Sequence, residues 1–195
     1  LQGEHAPRPL IQIEHDYGDK RVLLDVWECS DFSGSAYGKE GQPIKWVAVS
    51  ELVGYRFPEA NMAIVSACQL PGRYAITPEY GSLEQAHIGL ESLVGQGLKL
   101  ILFRQPQLTL ADYRKWSEKL LLSFRSKAVD IVLSGNPVLL GDLGVRCIQM
   151  PFYIAKNYIR DESVELSVGV SCHNLAELEH ASRIGADFVT LSPVF

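Results

Sequence analysis

A glutamate in a glycine-flanked loop, an asparagine at a helix start and a histidine after a strand are residue types that can do chemistry. Glu40 stands in Gly38-Lys39-Glu40-Gly41-Gln42-Pro43. Glycines free the backbone, so a carboxylate in such a loop can approach a metal ion closely. Asn61 closes the word Phe57-Pro58-Glu59-Ala60-Asn61, and its amide offers the donor and acceptor that suit reading a base edge. Further on, Arg104 follows Phe103, Ser134 sits in Leu133-Ser134-Gly135-Asn136, and Ser171 and His173 belong to Gly169-Val170-Ser171-Cys172-His173-Asn174. An arginine grips phosphate with its planar fork, and a histidine moves protons near neutral pH. Plainer roles stand beside these: a solvated loop glutamate, a helix N-cap asparagine, a surface arginine, a structural histidine.

The elements that must position these residues change character near residue 70. Before it the chain reads as short strands and turns. Residues 10–15 alternate apolar and polar, 15–20 form a turn and 21–27 a second strand, which predicts an antiparallel hairpin. Residues 34–43 are a glycine-containing loop. Residues 44–49 read as a third strand, Ser50 as the cap of a short helix from Glu51, and 61–70 as a helix. Gln69-Leu70-Pro71-Gly72 is the linker candidate.

After the linker, strand and helix alternate. Strands are expected over 73–77, 99–103, 130–133, 145–150, 165–170 and 188–191. Helices are expected from a Ser82 cap to 95, from a Thr109 cap over 110–127, and over 137–143, 152–160 and 175–184. Leu110, Tyr113, Trp116, Leu120 and Phe124 fall on one helical face, and the charges of 115–127 make a solvated one. Such alternation implies parallel βαβ units. Side chains at the C-terminal ends of parallel strands line the ligand site, which would gather Arg104, Ser134, Ser171 and His173. Both a small open sheet and a (β/α)₈ barrel cut before closure fit the pattern.

Composition narrows the class. Hydrophobic residues are 47% of the 195, charged residues 21%, and the formal net charge is -5. This excludes a disordered, collagen-like or disulfide-scaffold chain. It also argues against a large basic nucleic-acid surface, though not against a small nucleotide. No apolar run of about 18 residues predicts a membrane span, and the polar start Leu-Gln-Gly-Glu-His does not read as a signal peptide. Cys29, Cys68, Cys147 and Cys172 form no CxxC pair, so they read as buried thiols in a reducing cytoplasm. Trp27 and Trp46 read as core packing.

Residues 8–70 resemble the C-terminal half of MutT-type Nudix pyrophosphohydrolases. The likeness rests on the run from Tyr17-Gly18-Asp19-Lys20 to Trp27, the Gly-Lys-Glu-Gly-Gln-Pro loop, Trp46 and the Phe-Pro-x-Ala-Asn turn. It implies that Glu40 helps bind a catalytic magnesium, with manganese as a substitute. It implies further that Asn61 reads an oxidised guanine and that Tyr17 and Asp19 lie near the nucleotide. The family's Nudix box, which supplies most metal ligands, would fall before residue 1. The expectation is that the intact parent hydrolyses 8-oxo-dGTP to monophosphate and pyrophosphate, and that this piece alone does not.

Residues 73–195 resemble the thiamine phosphate synthase/TenI family of TIM barrels. The most specific pieces are the Gly-Val-Ser-x-His word and the Leu-Ser-Pro-Val-Phe ending. Arg104 matches the arginine of the family's pyrophosphate-binding Arg-Glu-Lys word, but Gln105 and Pro106 replace its other members. Ser134 and Gly135 stand where the synthase carries Asn-Asp, the Asp being a magnesium ligand. Ser171 matches the serine of the fifth strand, and His173 the acid/base of the thiazole tautomerase branch. Expelling pyrophosphate calls for a metal and cations on the leaving group. A tautomerase needs only a positioned acid/base and a phosphate grip.

The expectation is therefore an α/β chain in two parts. Residues 1–70 would be a partial Nudix domain, and 71–195 a truncated TIM barrel with about six strands. The activities implied are nucleotide hydrolysis by the parent or, as the alternative, thiamine biosynthesis by synthase or tautomerase chemistry. A non-catalytic phosphate-binding barrel is the third reading. The partners would be a small nucleotide or a thiazole or pyrimidine phosphate, with no membrane and no stable nucleic acid.

Overall fold

The computed structural model describes residues 2–3, 6–161, 163–164 and 166–193. The chain divides into two compact units, Leu1–Leu70 and Pro71–Phe195.

In the first unit β1 (Gln2–Gly3), β2 (Arg8–Asp16), β3 (Arg21–Glu28) and β4 (Phe32–Ser33) form two antiparallel pairs, β1 with β4 and β2 with β3. The β2–β3 hairpin turns where Gly18 takes φ +87°, a value that glycine adopts without Cβ strain. Asp16 Oδ1 accepts from Gly18 N–H at 2.8 Å, and Tyr17 N–H donates to the Lys20 carbonyl at 2.9 Å. Helix α1 (Glu59–Gln69) follows Pro58 and packs against β2.

Several expectations fail in this unit. Residues 44–49 are not a strand, because no described strand pairs with them; a 3₁₀ turn, Val49–Gly54, begins instead. Ser50 lies inside that turn rather than capping a helix. Asn61 is in the first turn of α1, not at its N-cap, which Pro58 occupies. Trp27 and Trp46 are also half or more exposed rather than core, Trp46 stacking on Phe32 at 5.3 Å. One hairpin and one helix supply little apolar surface to enclose them, and Val65 is this unit's one buried hydrophobic residue among those described.

The second unit carries the alternation read from the sequence. Its elements are β5 (Tyr74–Ile76), α2 (Leu83–Gly95), β6 (Leu100–Phe103), α3 (Leu110–Phe124), β7 (Asp130–Ser134) and α4 (Pro137–Leu140). After a 3₁₀ turn, Gly141–Leu143, come β8 (Cys147–Pro151), α5 (Phe152–Ala155), β9 (Ser167–Cys172), α6 (Leu175–Arg183) and β10 (Phe188–Leu191). The six strands form one parallel sheet in chain order. The start of the fifth expected strand at Glu165, and Val194 and Phe195 of the final word, lie outside the described residues. Ser82 and Thr109 do cap their helices, accepting from Gln85 N–H and Asp112 N–H at 3.2 Å each. Helix α3 is shorter than expected, and its buried stripe begins at Tyr113 and not at the half-exposed Leu110.

Each strand turns alternate residues to opposite faces. Ile101, Phe103, Ile131, Leu133, Ile148, Met150, Val168 and Val170 join the helix residues Ala86, Leu90, Leu120, Phe124 and Ala181 in the main core. Full burial of such a side chain stabilises by about 1.5–3 kcal/mol. Leu100, Leu102, Val132 and Cys147 form a second cluster with Tyr74 and Phe188. Tyr74 and Phe188 stand on the two edge strands, yet their ring centroids are 5.9 Å apart, so the sheet is curled. Cys147 and Cys172 are buried as expected, but Cys29 is exposed and Cys68 half-buried. No helix among the described residues is long and apolar enough to cross a membrane.

Candidate functional site

The parallel sheet sends all its C-terminal strand ends to one rim, and Arg104, Ser134, Ser171 and His173 stand on it. Thr77, directly after β5, fixes the Arg104 segment. Its hydroxyl oxygen accepts from Arg104 N–H at 3.1 Å and from Gln105 Nε2 at 3.2 Å. The buried Gln105 also donates to the Pro78 carbonyl at 2.7 Å and accepts from Tyr80 N–H at 2.8 Å. This residue therefore braces a loop and is not turned to a ligand. The Arg104 side chain is exposed, with no hydrogen bond or ion pair to its guanidinium among the described residues.

Tyr113 of α3 joins the next two strand ends. Its hydroxyl donates to the Phe103 carbonyl at 2.6 Å and accepts from Ser134 N–H at 2.8 Å. Burial pushes this phenol well up, so it stays a neutral link. Gly135 takes φ +151°, and its N–H donates to the Gln149 carbonyl at 3.0 Å. Asn136 is spent as the cap of α4, accepting from Val138 N–H at 2.9 Å. The C-terminal end of β7 reads Leu133-Ser134-Gly135-Asn136 and carries no carboxylate of its own.

Under the rim lies a polar network that strand patterning alone does not announce. Gln149 of β8 is 2% exposed. Its Nε2 donates to Ser171 Oγ at 2.7 Å and Thr190 Oγ1 at 2.8 Å, and its Oε1 accepts from the Tyr74 hydroxyl at 2.6 Å. The signal was its place in Cys147-Ile148-Gln149-Met150, where it shares a face with Cys147. Ser171 is thus held from below, beside Thr190 in register.

His173 follows β9 directly. Its backbone N–H donates to Glu177 Oε2 at 2.8 Å, and its ring Nδ1 lies 3.0 Å from the same oxygen. Asn174 caps α6, accepting from Glu177 N–H at 3.0 Å and donating from Nδ2 to Glu177 Oε1 at 3.1 Å. This is a capping box, Asn-x-x-Glu, extended by one residue. The His173 side chain is 58% exposed and its Nε2 has no described partner. Strand-end reasoning points to His173 but not to Glu177, although the spacing of Asn174 and Glu177 is a visible signal.

The other candidates lie in the first unit. Tyr17 is exposed in the hairpin turn, in edge contact with His15 at 4.5 Å and with Lys20 Nζ 5.7 Å from its ring. Asp19 is exposed in the same turn, and Asn61 is half-buried in α1. Glu40 is exposed; its N–H donates to the Gln42 side chain at 2.9 Å. No hydrogen bond or ion pair among the described residues joins these four to one another. No three His, Cys, Asp or Glu side chains among the described residues are grouped to hold a metal ion. Magnesium asks for several oxygen ligands in near-octahedral array, so neither Glu40 nor the Ser134–Gly135 strand end fits that ion with the residues described.

Comparison with known proteins separates the two units. The family of thiamine monophosphate synthases (TMP-TENI) matches residues 73–195. An Aquifex aeolicus (strain VF5) protein, provisionally named thiamine-phosphate synthase 2, is 28% identical over 130 residues, 65% of this chain and 69% of that protein. The 8-oxo-dGTP diphosphatase of Escherichia coli (strain K12) is 31% identical over 55 residues. That match takes in 28% of this chain and spans 43% of the diphosphatase. Among solved structures, one described as "Native KDPGal structure" superposes with a TM-score of 0.50 at 18% identity, covering 65% of this chain and 61% of that one; it is a likeness of fold.

Proposed function

Because residues 73–195 place this chain in the thiamine monophosphate synthase family, we propose that its second unit is an enzyme of thiazole phosphate metabolism working by tautomerisation. Arg104 grips the phosphate, Ser171 hydrogen-bonds the ligand and His173 moves a proton between two positions of the thiazole. The observation that carries this is His173 itself. The ring is held through Nδ1 and presents a bare Nε2 on the rim where parallel α/β sheets bind ligands. Proton transfer needs no metal, and the β7 end offers no carboxylate for one. The synthase reaction asks more of this rim than Ser134 and Gly135 supply.

The test is interconversion of thiazole phosphate isomers followed by NMR. His173→Ala is expected to lower kcat by about 10²–10⁴, the usual worth of a positioned acid/base. Turnover that survives this substitution overturns the role of His173. Phosphate ligand binding without turnover by the unaltered chain would make this unit a binding module.

A second reading concerns the first unit, on the strength of its likeness to the diphosphatase. Here Asn61 reads an oxidised purine, Tyr17 and Asp19 flank it, and Glu40 lies toward the phosphates. The described residues do not make a magnesium site, so no hydrolytic step is assigned to them. Titration with 8-oxo-dGMP is expected to show binding that Asn61→Ala weakens by about tenfold, the loss of roughly one good hydrogen bond. Equal binding by the variant overturns it.

A further inference from the structure

We infer that Glu177 is the positioning residue for His173, fixing the imidazole as its Nδ1–H tautomer and leaving Nε2 to exchange protons. The proton exchange rests on the reading just proposed; the tautomer does not.

Donors surround the Glu177 carboxyl group. Oε2 faces two N–H groups of one residue, the His173 backbone at 2.8 Å and its ring Nδ1 at 3.0 Å. Oε1 faces the Asn174 side-chain amide at 3.1 Å. Every described neighbour that can be assigned is a donor, which favours the acceptor-only carboxylate. Burial alone would raise this group, but the His173 ring and backbone, the His173 charge and Asn174 outweigh it and hold the carboxyl below its ordinary range. A carboxylate has no proton to give, so Nδ1 must carry the one between them. The tautomer of a histidine is set by the hydrogen bond its other nitrogen makes. Backbone and ring are clamped on one oxygen, so the ring's orientation is fixed together with its tautomer. Nε2 then has its lone pair turned away from Glu177 on the exposed side.

The competing account is that Glu177 serves only the helix, as the far member of a capping box. Two variants of the full chain separate the accounts. Asn174→Ala removes the cap and leaves the His173–Glu177 contact, whereas Glu177→Leu removes the contact. The readout is long-range ¹H–¹⁵N correlation of the His173 ring at a pH where it is neutral. The unaltered chain and Asn174→Ala are expected to show Nδ1 protonated and Nε2 bare, while Glu177→Leu moves toward the Nε2–H form. An Nε2–H ring in the unaltered chain overturns the inference, and this measurement needs no variant to fold. An unchanged tautomer in Glu177→Leu also overturns it. In turnover, Glu177→Leu is expected to lower kcat by about tenfold to a hundredfold with KM little changed, a part of what an acid/base contributes. A confirmed Nδ1–H tautomer with turnover that survives His173→Ala would sink the proposed function and leave the positioning intact.

Discussion

Gln149 shows what one buried polar side chain can organise. Its amide connects β5, β8, β9 and β10 through Tyr74, Ser171 and Thr190. A buried donor or acceptor left without its partner costs about 1–3 kcal/mol, whereas the bond itself contributes nearer 1. Gln149→Leu keeps roughly the size of the side chain but orphans the half-buried Tyr74 hydroxyl and unties Ser171. The expected result is a loss of about 2–4 kcal/mol in urea unfolding, from one or two such orphaned groups. Tyr74→Phe, which removes only the donor to Oε1, should cost less. Equal stability of Gln149→Leu and the unaltered chain would mean that the network is decoration. This network was not legible beforehand, because a lone glutamine in an apolar strand looks like a tolerated exception. Only the curl of the sheet brings residues so far apart in the chain to one amide.

At the scale of elements, much was legible where local chemistry decides and less where partners decide. The βα alternation, the Ser82 and Thr109 caps and the hairpin turn at Gly18 follow from periodicity and side-chain chemistry, and they are present. Residues 44–49 had strand-like alternation but found no described neighbour, and a strand without a partner leaves its backbone groups unpaired. The rim residues were legible as a set because parallel strands share a direction. Their supports were less so: Thr77 and Tyr113 act across elements, whereas Glu177 shows in the sequence only as the capping partner of Asn174. Gly169 is a case of such cross-element dependence. A Cβ there would overlap the ring of Phe188 on the neighbouring strand. Gly169→Ala should therefore destabilise by about 1–3 kcal/mol, the usual cost of overpacking. Adding Phe188→Leu should recover part of that loss, and two additive losses in thermal or urea unfolding would contradict the overlap.

Across the whole molecule, charge state follows burial and pairing, and this sets a pH window. Among the described residues five carboxylates sit below their ordinary range: Asp16 beside Gly18 N–H and Arg21, Glu91 beside Lys127, Asp142 beside Arg114, Asp161 beside Ser163, and Glu177 beside His173 despite its burial. A group depressed in the folded state stabilises fully above its unfolded value, near 4, and loses that contribution as pH falls through its folded value. The opposite flank comes from acids that burial raises. Cys147 is pushed up to about 12 by burial and by Asp187 and Asp130, and Tyr74, Tyr80, Tyr113, Tyr158 and Cys172 are also raised by burial. Such groups stabilise fully below their unfolded values, about 8.5 for Cys and 10 for Tyr, and the contribution is lost as pH rises through the folded ones. The urea midpoint followed by far-UV circular dichroism should then be flat between about pH 5 and 8, falling on both sides. These raised groups all lie in residues 71–195, so the alkaline fall should follow loss of the parallel sheet and not of the first unit's hairpin. Cys147→Ala should soften the alkaline fall without moving the acid one. A midpoint that stays level up to about pH 11, past the unfolded values of both thiol and phenol, or an acid fall that changes with Cys147→Ala, would refute this division of the two flanks.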